Sequence, residues 1–140
     1  MKKIFLTILL FTSITAFSQV KITGYFDAEI GLSFGLSEKI STEIRINDDL
    51  GKEFSASAQL QYQFVSKENY NLNFGIGVVT YPFSNNTNTV ESFYFPLNIE
   101  ITPLKEVKNF ALVLESAYHL AKNNVTSGIR NSIGIRYIFN

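Results

Sequence analysis

Cysteine and tryptophan are missing from the 140 residues, and histidine occurs once, as His119. Without cysteine, neither a disulfide nor a thiolate metal site can form. A single histidine also removes the multi-histidine metal sites. No cofactor is therefore expected, and stability must come from packing and backbone hydrogen bonding. Beyond residue 18, no stretch approaches the roughly 18 consecutive apolar residues of a membrane-crossing helix. Helical periodicity is missing there as well. Charge of one sign is not in excess: the chain has 12 basic and 12 acidic residues, and setting aside Lys2 and Lys3 leaves 10 against 12. No basic stripe exists to attract nucleic acid, so that partner is excluded.

The opening MKKIFLTILLFTSITAFSQ has the parts of a secretory signal peptide. Lys2 and Lys3 form the basic start, Ile4 to Phe11 the apolar segment, and Ala16-Phe17-Ser18 the small-residue cleavage site. The apolar run is too short for a membrane span. No cysteine follows it, which excludes a lipoprotein anchor. Residues 1–18 are therefore set aside, and residues 19–140 are expected to form one domain.

What the remainder does have is aromatic residues, 13 Phe and 7 Tyr in the whole chain, and an alternation of period two. From Val20 to Gly35 the even positions are Val20, Ile22, Gly24, Phe26, Ala28, Ile30, Leu32 and Phe34, against Lys21, Thr23, Tyr25, Asp27, Glu29, Gly31 and Ser33. The same pattern recurs over 40–47, 54–64, 70–78, 92–102, 110–119 and 129–139. Turn-rich links separate these segments at Leu36–Glu38, Asp48–Lys52, Ser66–Asn69, Pro82–Thr89, Pro103–Lys108 and Lys122–Ser127. Such alternation puts the two residue sets on opposite faces of β-strands. Segments of about 10 residues with this pattern are the signature of a transmembrane β-barrel, although a soluble all-β barrel gives a similar one.

The polar face decides between the two. It is dominated by Ser, Thr, Asn, Gln and Gly, as in Ser55, Ser57, Gln59, Gln61 and Gln63. Such a strip is poor as a solvated surface but suits a packed lumen. Gly75, Gly77 and Gly134 on that face suit a narrow interior, and most lysines sit at strand ends. With the C-terminus placed in the periplasm, one rim carries Phe34, Phe64, Tyr70, Phe110, Tyr137 and Phe139, and the other Phe54, Phe93, Phe95 and Tyr118. Aromatic girdles at two interfaces belong to a membrane barrel. The fold expected is an all-β, small antiparallel up-and-down transmembrane β-barrel. Seven strands are readable. Even numbers are the rule in such barrels, so eight are expected, with Val20–Gly35 broken near Tyr25–Asp27.

The signal peptide, the alternating strands and the ending IGIRYIF resemble the small outer-membrane β-barrel families of Gram-negative bacteria, of the OmpA/OmpX-like kind. In those families a C-terminal strand with a terminal aromatic is read by the barrel-assembly machinery. Ile133, Ile135, Tyr137 and Phe139 match that assembly signal, while Asn140 departs from it because the aromatic is usually last. The resemblance implies an outer-membrane location, lipid as surroundings, the assembly machinery as a partner during biogenesis, and a monomer with any surface ligand held by external loops. The stretch YHLAKN also loosely resembles the lipid A deacylase-like barrels, whose late strand carries His-x-Ser-Asn. Ala121 stands where the serine nucleophile would be and Lys122 where the asparagine would be, so that acyl transfer has no nucleophile.

The lumen-facing ionisable residues are then Asp27, Glu29, Glu43, Arg45, Glu100, Glu115, His119, Arg130 and Arg136. A three-residue first link pairs Glu29 with Arg45, and folding the last hairpin about Asn124 sets His119 opposite Arg130 and Glu115 diagonal to Arg136. Opposite charges in a dry interior require one another. The expectation is a structural ion-pair network that plugs a barrel too narrow for a water-filled pore, with no enzymatic activity. A soluble periplasmic barrel holding an apolar ligand is the alternative, and it requires an apolar interior.

Overall fold

The computed structural model describes residues 19–47, 54–83, 90–103, 106–121 and 127–139. Residues 1–18, 48–53, 84–89, 104–105 and 122–126, and Asn140, lie outside the described residues, so the expected signal peptide and cleavage site fall there. The strands are β1 (Val20–Tyr25), β2 (Glu29–Gly35), β3 (Ile40–Asn47), β4 (Ser55–Ser66), β5 (Tyr70–Thr80), β6 (Val90–Ile101), β7 (Phe110–Ala121) and β8 (Gly128–Phe139). Each pairs antiparallel with the next, and β8 returns to β1, closing the barrel. Closure leaves no edge strand with unpaired backbone groups.

The eighth strand comes from the first segment. β1 and β2 are joined by Phe26, Asp27 and Ala28, and Gly24 lies opposite Ile30. An odd-length loop pairs even positions with even ones, so the alternation runs through the turn without changing phase. That is why periodicity alone shows one long segment here. The turn shows only in the structure, where Ala28 takes a φ of 63°, the left-handed conformation of a tight hairpin.

Two expected registers are corrected. The β2–β3 hairpin sets Gly35 opposite Ser41, with the Leu36 amide donating to the Ile40 carbonyl. Ser37 Oγ accepts from the Ile40 amide at 3.1 Å, which centres the link on Ser37–Lys39 rather than Leu36–Glu38. Glu29 therefore lies opposite Asn47, and Arg45 opposite Gly31. In the β7–β8 hairpin His119 faces Gly128, Ala117 faces Arg130 and Glu115 faces Ser132. Pro96 lies inside β6, where a ladder normally rejects proline. The β5–β6 pairing accordingly lapses between Phe74↔Leu97 and Gly77↔Tyr94.

Polarity is inverted relative to a water-soluble protein. On the outer face Phe74 is 51% exposed, Leu97 48% and Ile135 52%, while inside Glu43 is 1% and Arg136 2% exposed. Glycines make room for the large lumen residues. A Cβ on Gly77 would come within 2.3 Å of the Tyr94 ring, and one on Gly134 within 2.9 Å of the Tyr25 ring. Each glycine is the direct cross-strand partner of the tyrosine it admits. The end holding Gln19, the links after β2, β4 and β6, and Phe139 is called lower; the other, with the Phe26–Ala28 turn, is upper.

Candidate functional site

The lumen is crossed by a continuous ladder of opposite charges. Starting from the lower end, Lys21 Nζ donates to both oxygens of Glu100, at 3.0 and 3.1 Å. Arg136 Nη1 donates to Glu100 Oε2 at 2.6 Å, and its Nη2 to Glu43 Oε2 at 2.6 Å. Arg45 Nε donates to Glu43 Oε1 at 2.5 Å, while its two terminal nitrogens donate to the two oxygens of Glu115. Higher still, Glu29 lies 3.7 Å from Arg45 Nη1 and 2.7 Å from Arg130 Nη2, which also donates to Asp27 Oδ2 at 2.5 Å.

Glu43 is the hub. Besides the two guanidinium groups it accepts from Tyr25 Oη at 2.8 Å, Ser33 Oγ at 2.6 Å and Gln59 Nε2 at 3.3 Å. Five donors fill the lone-pair sites of one carboxylate. The Arg45 guanidinium also lies 4.2 Å above the Tyr25 ring, a cation–π contact in a desolvated setting. Arg136 Nε donates to Thr23 Oγ1 at 2.7 Å, so all sides of its fork are engaged. Period two delivers these groups from β1, β2, β3, β4, β6, β7 and β8 to one interior, and closure brings them together.

The structure thus places Glu29, Glu43, Arg45, Glu100, Glu115, Arg130 and Arg136 along one chain of contacts. Glu115 meets Arg45 across the lumen and not Arg136. His119 stands apart: its ring stacks on Tyr94, with centroids 5.0 Å apart and planes within 10°. Lys21, Thr23, Tyr25 and Ser33 join the site without having been singled out as its members, and so does Gln59, read only as part of a polar lumen strip. The signal that finds four of them is phase, since Lys21, Thr23, Tyr25 and Ser33 share the odd set with Glu29.

Two cavities flank the ladder. The upper one, about 330 Å³, is lined by Glu29, Arg45, Glu91, Tyr94, His119 and Arg130 among others. The lower one, about 340 Å³, includes Lys21, Ser33, Gln61, Gln63, Asn73 and Arg136. The charged side chains and their partners lie between the two. Among the described residues no group of three or more His, Asp or Glu side chains is arranged to hold a metal ion. Lys122, and the side chain of Ala121, lie outside the described residues.

Outside, aromatics contact one another near the lower rim: Phe110–Tyr137 at 5.0 Å and Tyr137–Phe139 at 4.8 Å, both edge-to-face. Ile133, Ile135, Tyr137 and Phe139 all face outward from β8.

No protein family matches the sequence, and no curated protein matches it. Among solved structures, the N-terminal β-barrel domain of Pseudomonas aeruginosa OprF aligns with a TM-score of 0.52 at 11% identity, covering 86% of this chain and 94% of that domain. At that identity the likeness establishes the fold. The chain has the closed eight-stranded antiparallel barrel of that domain.

Proposed function

We propose that the chain is exported through residues 1–18 and embedded in the outer membrane as a small monomeric β-barrel. Its lumen is closed to ions by the ion-pair ladder, and its role is structural or interactive through the upper loops. The observation that carries this reading is the inverted polarity: a belt of exposed Ile, Leu, Phe and Tyr surrounds an interior of paired charges. Lipid is the solvent such an exterior fits. The likeness to an outer-membrane barrel domain supports the same reading. An apolar ligand in a water-soluble barrel would need an apolar interior, whereas the centre here is Glu43, Arg45, Glu115 and Arg136.

Within this reading, Ile133, Ile135, Tyr137 and Phe139 form the strand face that the barrel-assembly machinery engages. No catalytic role is assigned to the lumen, because its carboxylates and guanidinium groups are spent on one another. Expression of the full chain, fractionation of membranes, and gels run with and without boiling test the proposal. A membrane-bound band whose migration shifts on heating is expected. A water-soluble periplasmic band without that shift overturns it. In planar bilayers the plug predicts no steady ion conductance.

A further inference from the structure

Apart from Glu100 and the Gln59–Glu43 hydrogen bond, the β4–β6 side of the lumen carries something different from the charged ladder. Gln59, Gln61, Asn73 and Asn98 line it with neutral amides, all buried. Several of their atoms have no protein partner: Gln59 Oε1, Gln61 Nε2, and both Nδ2 and Oδ1 of Asn98. Tyr94, only 2% exposed, directs its hydroxyl to the same wall, beside Ser57 of β4. Leaving a buried polar group unmatched costs free energy, so several such atoms on one wall need a common explanation.

Their order along the wall supplies it. Gln59 faces Gly77, and Gly77 faces Tyr94 on the next strand, so the tyrosine ring lies over the glycine with its hydroxyl directed toward β4. Gln61 follows two residues below Gln59 on the same face of β4. Asn73 is one register step diagonal to Gln61 and directly opposite Asn98. The Tyr94 hydroxyl and the four amides therefore form one series along the wall, in register order. It begins at Tyr94, which lines the upper cavity, and ends at Gln61 and Asn73, which line the lower one.

We propose that this amide strip holds a single file of water molecules joining the two cavities, making the barrel a water-permeable but ion-tight path. Buried water is stable where each molecule finds two to four polar partners, and carboxamides supply both donors and acceptors. The strip carries no net charge to replace an ion's hydration shell. The ladder opposite offers four cations, Lys21, Arg45, Arg130 and Arg136, against five anions, Asp27, Glu29, Glu43, Glu100 and Glu115, each already engaged. Water passes by exchanging equivalent hydrogen bonds; an ion has no such substitute.

The file presupposes the lipid-embedded barrel proposed above, and the heat shift of vesicle-bound protein reports that point separately. The full chain is refolded into phospholipid vesicles and subjected to an outward sucrose gradient, with shrinkage followed by stopped-flow light scattering. The expected result is faster shrinkage than in protein-free vesicles, with no accompanying leak of potassium. Asn98→Leu and, separately, Gln61→Met should lose the barrel-dependent part of the rate while keeping the heat shift. Gln61→Met preserves shape and removes a donor that bonds to no protein atom, so it serves if Asn98→Leu does not fold. Shrinkage at the protein-free rate from heat-shifting wild-type barrels overturns the proposal. So does a fast rate that neither substitution changes, or a parallel leak of potassium. A vesicle-bound protein without the heat shift would instead remove the lipid reading, and the file with it.

Discussion

All three arginines of the chain face the lumen, whereas among the described residues the lysines other than Lys21, namely Lys39, Lys67 and Lys108, sit in links. The distinction follows from shape. A guanidinium is a rigid planar fork that can serve two carboxylates at once, which an ammonium cannot do with the same geometry. Arg45 spans Glu43 and Glu115, and Arg136 spans Glu43 and Glu100. Glu43 is consequently the residue whose loss strands most charge. Glu43→Ala leaves two buried guanidinium groups short of a counter-ion and should destabilise the barrel by about 3–5 kcal/mol. The shift of the urea unfolding midpoint in lipid measures it; a change near zero would mean that water solvates the ladder. Glycine matters at this scale through the space it leaves. Gly77→Ala drives a methyl group into the Tyr94 ring, at an overpacking cost of about 1–3 kcal/mol. Combining it with Tyr94→Ala should remove the clash, so the pair of substitutions should be less than additive in the same unfolding measurement.

At the scale of elements, the hairpin of β1 and β2 is the shortest in the wall, with strands of 6 and 7 residues against 11 or 12 for β4 to β8. Its turn places Ala28 at φ 63°. A non-glycine residue pays roughly 1–2 kcal/mol for that conformation, whereas glycine gives back part of the gain through a freer unfolded chain. Ala28→Gly should therefore stabilise the barrel by about 1 kcal/mol in a urea titration. Destabilisation would show that the Ala28 methyl makes a packing contact worth more than the strain. The same hairpin shows what a sequence conceals. Because its loop has an odd number of residues, the polar–apolar phase carries straight through, and alternation sees a single segment. The faces of all eight strands were legible because burial depends only on that phase. Registers were not, since a shift of Ser37–Lys39 by one position costs the pattern nothing while moving Arg45 from Glu29 to Gly31.

At the scale of the molecule, most of the ladder's charges were readable, but Lys21 was not, His119 stands outside the ladder, and the pairings stayed hidden. Arg45 and Glu115 are 70 residues apart, and Arg136 and Glu43 are 93 apart. Only closure of β8 on β1 brings them together, and hydrophobic phase carries no information about which side chains meet across a lumen. Phase does, however, fix the prediction that tests the molecule's surroundings. Leu97 lies in the middle of β6 on the outer face, and Tyr70 begins β5 at the lower rim. If lipid surrounds the barrel, a lysine is expensive at mid-depth, about 2–4 kcal/mol, and nearly free at the interface, about 0–1 kcal/mol. Leu97→Lys should therefore lower the unfolding free energy far more than Tyr70→Lys when both are titrated in phospholipid vesicles. The two parent residues are comparably exposed, at 48% and 41%, so lost packing alone predicts similar costs. A difference that grows with depth is the mark of a hydrocarbon layer. Equal, small costs would put water against the Ile, Leu and Phe belt, and the paired charges inside would then have to hold together a barrel whose exterior no solvent favours.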